Sequence, residues 1–277
     1  MLPVERVLEE FDDLQDSYDF LEMFWFPFSM TMAVYMMDRT GAPPDAASWW
    51  RRLETRATAL IQGYSAQKMI PWIARHAPQA TPILNAAATK VGFRPGFNVQ
   101  LASAAFHFQH AYAKCWEMEY AVPSESASEV WKHGMDLVNH YAKAGLYPIN
   151  LTLHGRFTGP SKGWLAPNFE QDSCFIDLTT ALGTPHWQSF FREMETLWCE
   201  IEGARPHWGK IFFQKERIAR QYSMLRPFLE VRRRWDPKGI FMNGYLEELF
   251  GLRPPGSVGD SDDRFELSPG PSKPPKG

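Results

Sequence analysis

The stretch from Phe20 to Met37 constrains the fold more than any other. Phe20-Leu21-Glu22-Met23-Phe24-Trp25-Phe26-Pro27-Phe28, continued by Thr31 to Met37, is almost long and apolar enough to cross a membrane. Glu22, Pro27, Ser29 and Thr31 interrupt it, and polar side chains at a bilayer centre are costly. Proline belongs at strand ends and edges. Two buried strands joined at Pro27-Phe28-Ser29 are therefore expected, with contact at a membrane surface as the alternative.

Similar strand chemistry recurs. Lys114 to Val122 reads as a strand stopped by Pro123. Ile149 to Phe157 alternates, with Ile149, Leu151 and Leu153 on one face and Asn150, Thr152, His154 and Arg156 on the other. Ser173 to Thr180 sends Cys174, Ile176 and Leu178 one way and Asp177 and Thr179 the other. Helices are expected over Ala46–Gln62 (capped by Asp45), over 66–75 with a break at Pro71, over Ala80–Val91, from a Ser124 cap to about Gly145, from Pro185 to about Glu202, and over Lys215–Arg234. Pro3 to Asp16 reads as irregular or a single helical turn. Strand pairs separated by helices imply an α+β fold, a mainly antiparallel sheet flanked by helices. Residues 1–252 form one domain in this reading, and the Pro-, Gly- and Ser-rich residues 253–277 a disordered tail.

The candidate chemistry gathers in Arg205-Pro206-His207-Trp208-Gly209-Lys210. Proline and glycine make this a shaped turn or strand end rather than a helix, and Ile211-Phe212-Phe213 supplies an apolar wall beside it. Two cations there suit a site where negative charge develops out of water; a strand terminus with surface charges is the alternative. With the polar face of the 149–157 strand this gives a possible cationic pocket of His154, Arg156, His207 and Lys210. Other chemistries find little support. The formal charge of the 277 residues is −3, so no general attraction to nucleic acid is expected. Cys115, Cys174 and Cys199 show neither metal nor disulfide-framework spacing. His107 and His110 lie three apart without an obvious third ligand, so no metal site is assigned. No glycine-rich phosphate loop or nucleophile elbow is present. Met1 to Arg6 lacks the basic head and apolar run of a signal peptide, so an intracellular place, cytoplasmic or membrane-associated, is expected.

Several segments, in order, resemble the substrate-binding half of the aldonolactone oxidases, flavin enzymes of the vanillyl-alcohol oxidase superfamily that include L-gulonolactone and D-arabinono-1,4-lactone oxidases. They are Phe24-Trp25-Phe26-Pro27, Met118 to Pro123, Arg156-Phe157-Thr158, Gln171-Asp172-Ser173-Cys174, Arg205 to Lys210, and Asp236 to Leu246. The resemblance covers most of Val4 to Leu252 and is weak from Gly41 to Tyr112. It implies oxidation of a hydroxyl carbon of a sugar lactone or polyol, with FAD taking the hydride and oxygen as acceptor, as in ascorbate-type biosynthesis. It also implies that Arg156 and Lys210 face the substrate hydroxyl and the flavin, that His207 lies near the flavin ring, that Asn243 returns to the flavin domain, and that Thr179 and Asp177 line the pocket floor.

Two departures from the family pattern qualify these expectations. Where the family has a glutamate two residues before the strand arginine, this chain has His154, an imidazole able to act as a base near neutral pH. The acidic pair that often follows is replaced around Gly159-Pro160-Ser161-Lys162. The chain also begins where the substrate domain of the family begins. A separate flavin-binding domain is thus the expected partner, and alone the chain is expected to bind FAD poorly. The competing expectation is a non-catalytic sugar-binding or interaction module; alditol or sterol oxidation is the alternative among enzymes.

Overall fold

Among the described residues, alternating side chains and a proline-broken apolar run build one seven-stranded antiparallel sheet. The computed structural model describes residues 1–45, 68–92, 96–105 and 114–252. The strands are β1 (Leu2–Pro3), β2 (Phe20–Trp25), β3 (Thr31–Met37), β4 (Cys115–Pro123), β5 (Leu153–Thr158), β6 (Ser173–Ala181) and β7 (Arg205–Pro206). Their order across the sheet is β1-β3-β2-β5-β6-β4-β7, and every neighbouring pair is antiparallel. The expected α+β class holds, and Phe20 to Met37 is the β2–β3 hairpin. Ser29 N–H donates to Phe26 O at 2.9 Å within its turn, and the Trp25 indole donates to Ser29 O at 2.9 Å. No helix among the described residues is long and apolar enough to cross a membrane.

One face of the sheet is apolar because alternate residues on four strands are. Leu21, Met23 and Trp25 of β2, Leu153 of β5, Cys174, Ile176 and Leu178 of β6, and Met118, Tyr120 and Val122 of β4 are all buried. Helices α6 (Ala127–Lys143) and α7 (Trp187–Glu200) supply Val130, Trp131, Phe190, Phe191, Met194 and Trp198 to the same core. The approach is close: a Cβ at Gly155 would lie 2.9 Å from the Trp131 ring. Within this core Tyr120 donates to Glu195 at 2.7 Å, and both Glu195 oxygens take the Phe213 N–H, at 2.9 and 3.0 Å. Burial and the Glu195 charge push the Tyr120 phenol far up, so it stays protonated as donor.

Several local expectations are corrected. The acidic start forms two helices, α1 (Val4–Glu9) and α2 (Phe11–Ser17), rather than one turn. Pro71 sits in the first turn of α3 (Ile70–His76), where its missing N–H costs nothing, instead of breaking a helix. The Ala-rich helix is α4 (Thr81–Gly92), and a short α5 (Ala102–Ala105) follows. Ser124 does not cap α6; it opens a 3₁₀ turn, and its N–H binds Asp172 O at 3.1 Å. Helix α7 starts at Trp187, two residues after Pro185, behind His186 at φ 62°. The Ala46–Gln62 helix, the His107/His110 pair and the 253–277 tail fall outside the described residues.

The described residues fall into two compact units, one up to Phe213 and one from Gln214 on. In the second, the continuous helix expected over Lys215–Arg234 is interrupted. A 3₁₀ turn (Lys215–Arg217) and α8 (Ile218–Gln221) stop at Tyr222, which is extended, and α9 (Leu225–Trp235) restarts. The Asp236-Pro237-Lys238-Gly239 turn follows as expected. The Asp236 carboxylate accepts from Ile240 N–H at 2.7 Å and Phe241 N–H at 3.1 Å, and Gly239 takes φ 67°, where a side chain would be strained. Helix α10 (Gly244–Leu249) closes the described chain.

Candidate functional site

The second face of the sheet carries the chemistry. Strand register brings Phe24, His154, Asp177 and Glu119 into one row across β2, β5, β6 and β4. The row continues past β4, where His207 N–H donates to Glu119 O at 2.9 Å. A neighbouring row on the same face is Tyr35, Glu22, Arg156 and Phe175. On the other side lie Thr179 and Glu117, which are paired. Side chains two apart on a strand share a face, so these rows form one polar floor.

Each cation on this floor has a carboxylate partner. Arg156 donates to Glu119 Oε1 at 2.7 Å, and Lys210 pairs with Glu117. His154 Nδ1 lies 2.7 Å from Asp177 Oδ2, and Thr179 donates to Asp177 Oδ1 at 3.1 Å. Burial works against the Arg156 charge. Glu119, helped by Asp177 and Glu22, outweighs it and holds the guanidinium above its ordinary range. Beside Glu22, the Tyr35 phenol is also raised, first by burial and then by that carboxylate. The His154 ring lies flat on Phe24, with centroids 4.0 Å apart and planes 7° apart.

The Arg205–Lys210 segment reaches this floor by a two-residue strand and a turn. The Arg205 guanidinium donates to Pro167 O and Phe169 O at 3.1 and 3.0 Å, and the Trp208 indole to Leu165 O at 2.7 Å. These bonds tie the 159–172 loop to the segment. The His207 ring accepts Gly209 N–H at Nδ1, 3.1 Å away, and Ile211 N–H donates to Glu117 O at 3.0 Å. Two cations beside an apolar wall thus become one cation, Lys210, on the floor and another, Arg205, holding a loop.

The structure therefore brings His154, Arg156, Asp177, Thr179 and Lys210 together, with His207 at the end of their row. It does not place Asn150 with them. Asn150 is buried at the sheet end, donating to Thr184 at 2.8 Å and accepting Ala181 N–H at 3.0 Å, because β5 starts only at Leu153. Asn243 belongs to the second unit and is the N-cap of α10, its Oδ1 accepting Leu246 N–H at 2.9 Å. Sequence reasoning missed the carboxylates Glu22, Glu117 and Glu119 and the Phe24 platform. The alternation of Cys115 to Pro123 puts Glu117 and Glu119 on one face, and that was the available signal.

Two buried atoms on the floor lack a hydrogen-bond partner, Glu119 Oε2 and His154 Nε2. The sequence has no glycine-rich phosphate loop of the dinucleotide-binding kind. No cluster of three or more His, Cys, Asp or Glu suited to a metal ion occurs among the described residues.

The family profile described as D-arabinono-1,4-lactone oxidase matches residues 2–249. L-gulono-1,4-lactone dehydrogenase of Mycobacterium tuberculosis is 28% identical over 247 residues, covering 89% of this chain and 55% of that protein. L-gulonolactone oxidase of Bos taurus is 24% identical over 255 residues, with the same coverage. The chain thus spans about half the length of these curated relatives. Among solved structures, a cholesterol oxidase from B. sterolicum superposes with a TM-score of 0.64 at 15% identity, over 87% of this chain and 55% of its own. That likeness bears on the fold alone.

Proposed function

The chain belongs to the D-arabinono-1,4-lactone oxidase family, and from that membership we propose that its polar sheet face is the substrate floor of a flavin-dependent oxidase of sugar 1,4-lactones. The observation that carries the reading is the convergence of His154, Arg156, Asp177, Thr179 and Lys210 on one face. The reading assigns FAD binding to residues other than those described, with oxygen as the electron acceptor, and leaves the chain by itself without turnover. Arg156 and Lys210 point N–H donors toward the substrate oxygens. Their pairing with Glu119 and Glu117 fixes their heads in place and cancels their net charge, which suits an uncharged sugar.

Binding tests this directly. The full chain is titrated with L-gulono-1,4-lactone and followed by calorimetry. Saturable binding is expected, weakened on the order of tenfold, about 1.4 kcal/mol, by Lys210→Met. Binding that Lys210→Met leaves unchanged, or none at all, counts against the reading.

His154 favours a second reading. Replacing the family's glutamate with an imidazole turns a carboxylate beside Arg156 into a group that is neutral or cationic, consistent with a sugar-binding module that has lost turnover. Lactone binding by the protein isolated from its source, without lactone-dependent oxygen uptake, is its expected signature.

A further inference from the structure

We propose that Arg205 and Trp208 are positioning residues for Lys210: by fastening the 159–172 loop to the turn that carries it, they fix where the Lys210 ammonium stands on the floor. This rests on the reading of the polar face as a substrate floor.

The fastening runs antiparallel, from Gly203 on to Trp208 along one segment and from Gln171 back to Leu165 along the other. The Gln171 amide donates to Gly203 O at 3.3 Å, Arg205 Nη1 to Phe169 O at 3.0 Å and Pro167 O at 3.1 Å, and Trp208 Nε1 to Leu165 O at 2.7 Å. The first of these contacts needs a glycine: Gly203 stands at φ 82°, and a Cβ there would lie 2.5 Å from Gln171 Oε1. The loop can act as a brace because it is bonded across itself. Ser161 N–H donates to Asn168 O and Glu170 N–H to Ser161 O, both at 2.9 Å, and the Asn168 amide donates to Gly159 O at 2.8 Å.

Register puts this brace on the polar face. Arg205 pairs with Ala121, Ala121 with Phe175 and Phe175 with Arg156, so the two arginines share one row and one face. Arg205 is thereby committed to loop carbonyls, while Arg156 stays on the floor. Past β7 the chain bulges from the edge of β4 between two ladder bonds, His207 N–H to Glu119 O and Ile211 N–H to Glu117 O. Lys210 N–H closes the bulge on His207 O at 3.1 Å, and the Lys210 side chain returns to Glu117. Short surface turns open readily. The bonds from Arg205 and Trp208 to a second, cross-bonded segment oppose that opening. A turn that opens carries the ammonium away from Glu117, which the placing of a substrate donor does not tolerate.

The test compares the full chain with Arg205→Met, Arg205→Lys and Trp208→Phe. Trace acetylation by acetic anhydride is read by mass spectrometry at Lys210 and at Lys132, exposed on α6, and amide hydrogen exchange is followed over residues 159–172. In Arg205→Met and Trp208→Phe, loop exchange and Lys210 acetylation are both expected to rise about two- to tenfold, the effect of losing one hydrogen bond on a local opening. Lys132 should not change, and Arg205→Lys should fall between wild type and Arg205→Met. Either rise without the other overturns the proposal, as does no change in both. Should Arg205→Met raise Lys132 as well, the fold has loosened as a whole and Trp208→Phe, which keeps an aromatic ring, decides; a rise at Lys132 there too overturns the proposal. Titration of Trp208→Phe with L-gulono-1,4-lactone separates the proposal from the reading beneath it. Faster Lys210 acetylation with weaker binding than wild type supports both. Faster acetylation with binding unchanged, or with no binding even in the wild type, keeps the positioning of Lys210 and removes the lactone reading.

Discussion

Arg156 and Glu119 make an asymmetric pair. The guanidinium side chain is 45% exposed and the carboxylate side chain 1%. Removing the arginine leaves a buried carboxylate with neither oxygen hydrogen-bonded, and that is the costly direction. Arg156→Ala is expected to destabilise the fold by about 1–2 kcal/mol, the lower part of the range for an unsatisfied buried group because the lost partner is half in water. Arg156→Ala/Glu119→Gln should recover part of that loss in urea unfolding; a double variant no more stable than Arg156→Ala would show that the pair is not what holds Glu119. At this scale the sequence was readable where alternation alone sufficed. Period two put His154 with Arg156 and Asp177 with Thr179. It did not reveal that Asp177 faces His154 or that Glu119 faces Arg156, because partners across strands depend on register, which period two leaves free. Asn150 was misplaced for a related reason: the alternation runs back to Ile149, but the ladder stops at Leu153.

Among the elements, β5 depends on the absence of one side chain. Gly155 stands between His154 and Arg156 on the opposite face, and Trp131 of α6 occupies the space its Cβ would need. Gly155→Ala is expected to cost about 1–3 kcal/mol as overpacking. Trp131→Phe, which removes the crowding indole atoms, should make the alanine cost less than it does alone; a purely additive double variant would refute the contact. The turn after α9 carries a pH signature. Burial works against the Asp236 charge, but the Ile240 and Phe241 N–H groups and Arg232 outweigh it, so its carboxyl lies below the usual range. A depressed folded-state value means the contribution is present above the unfolded carboxylate value, about 3.9, and is lost as pH falls through the lower folded value. Thermal unfolding of Asp236→Asn followed against pH should therefore lose part of the acid-side fall seen in the wild type. Asn243→Ala should weaken α10 by about 0.5–2 kcal/mol through its lost cap, with Asn243→Ser close to wild type. Strands were more legible than helices. The β2–β3 hairpin follows from Pro27 and its apolar flanks, whereas the amphipathic pattern runs through Tyr222 to Met224, and the signal for that break is Pro227, whose ring clashes with the carbonyl of a helical Ser223 behind it and which sits in the first turn of α9.

At the scale of the molecule, the sheet separates two tasks. Its apolar face is fixed by α6 and α7, and its polar face is thereby kept rigid enough to hold charged side chains in register. Under the proposed reading, such preorganisation is what a substrate floor requires. The segments shared with the aldonolactone oxidases span both units, and the family match at residues 2–249 agrees with them. The most direct measurement uses the protein isolated from its source. L-gulono-1,4-lactone is added without oxygen, and the flavin absorption is followed before air is readmitted. The account predicts lactone-dependent bleaching that air reverses. A flavin that stays oxidised with sugar 1,4-lactones, in protein shown to bind them, or the absence of any flavin accompanying the chain, would contradict it.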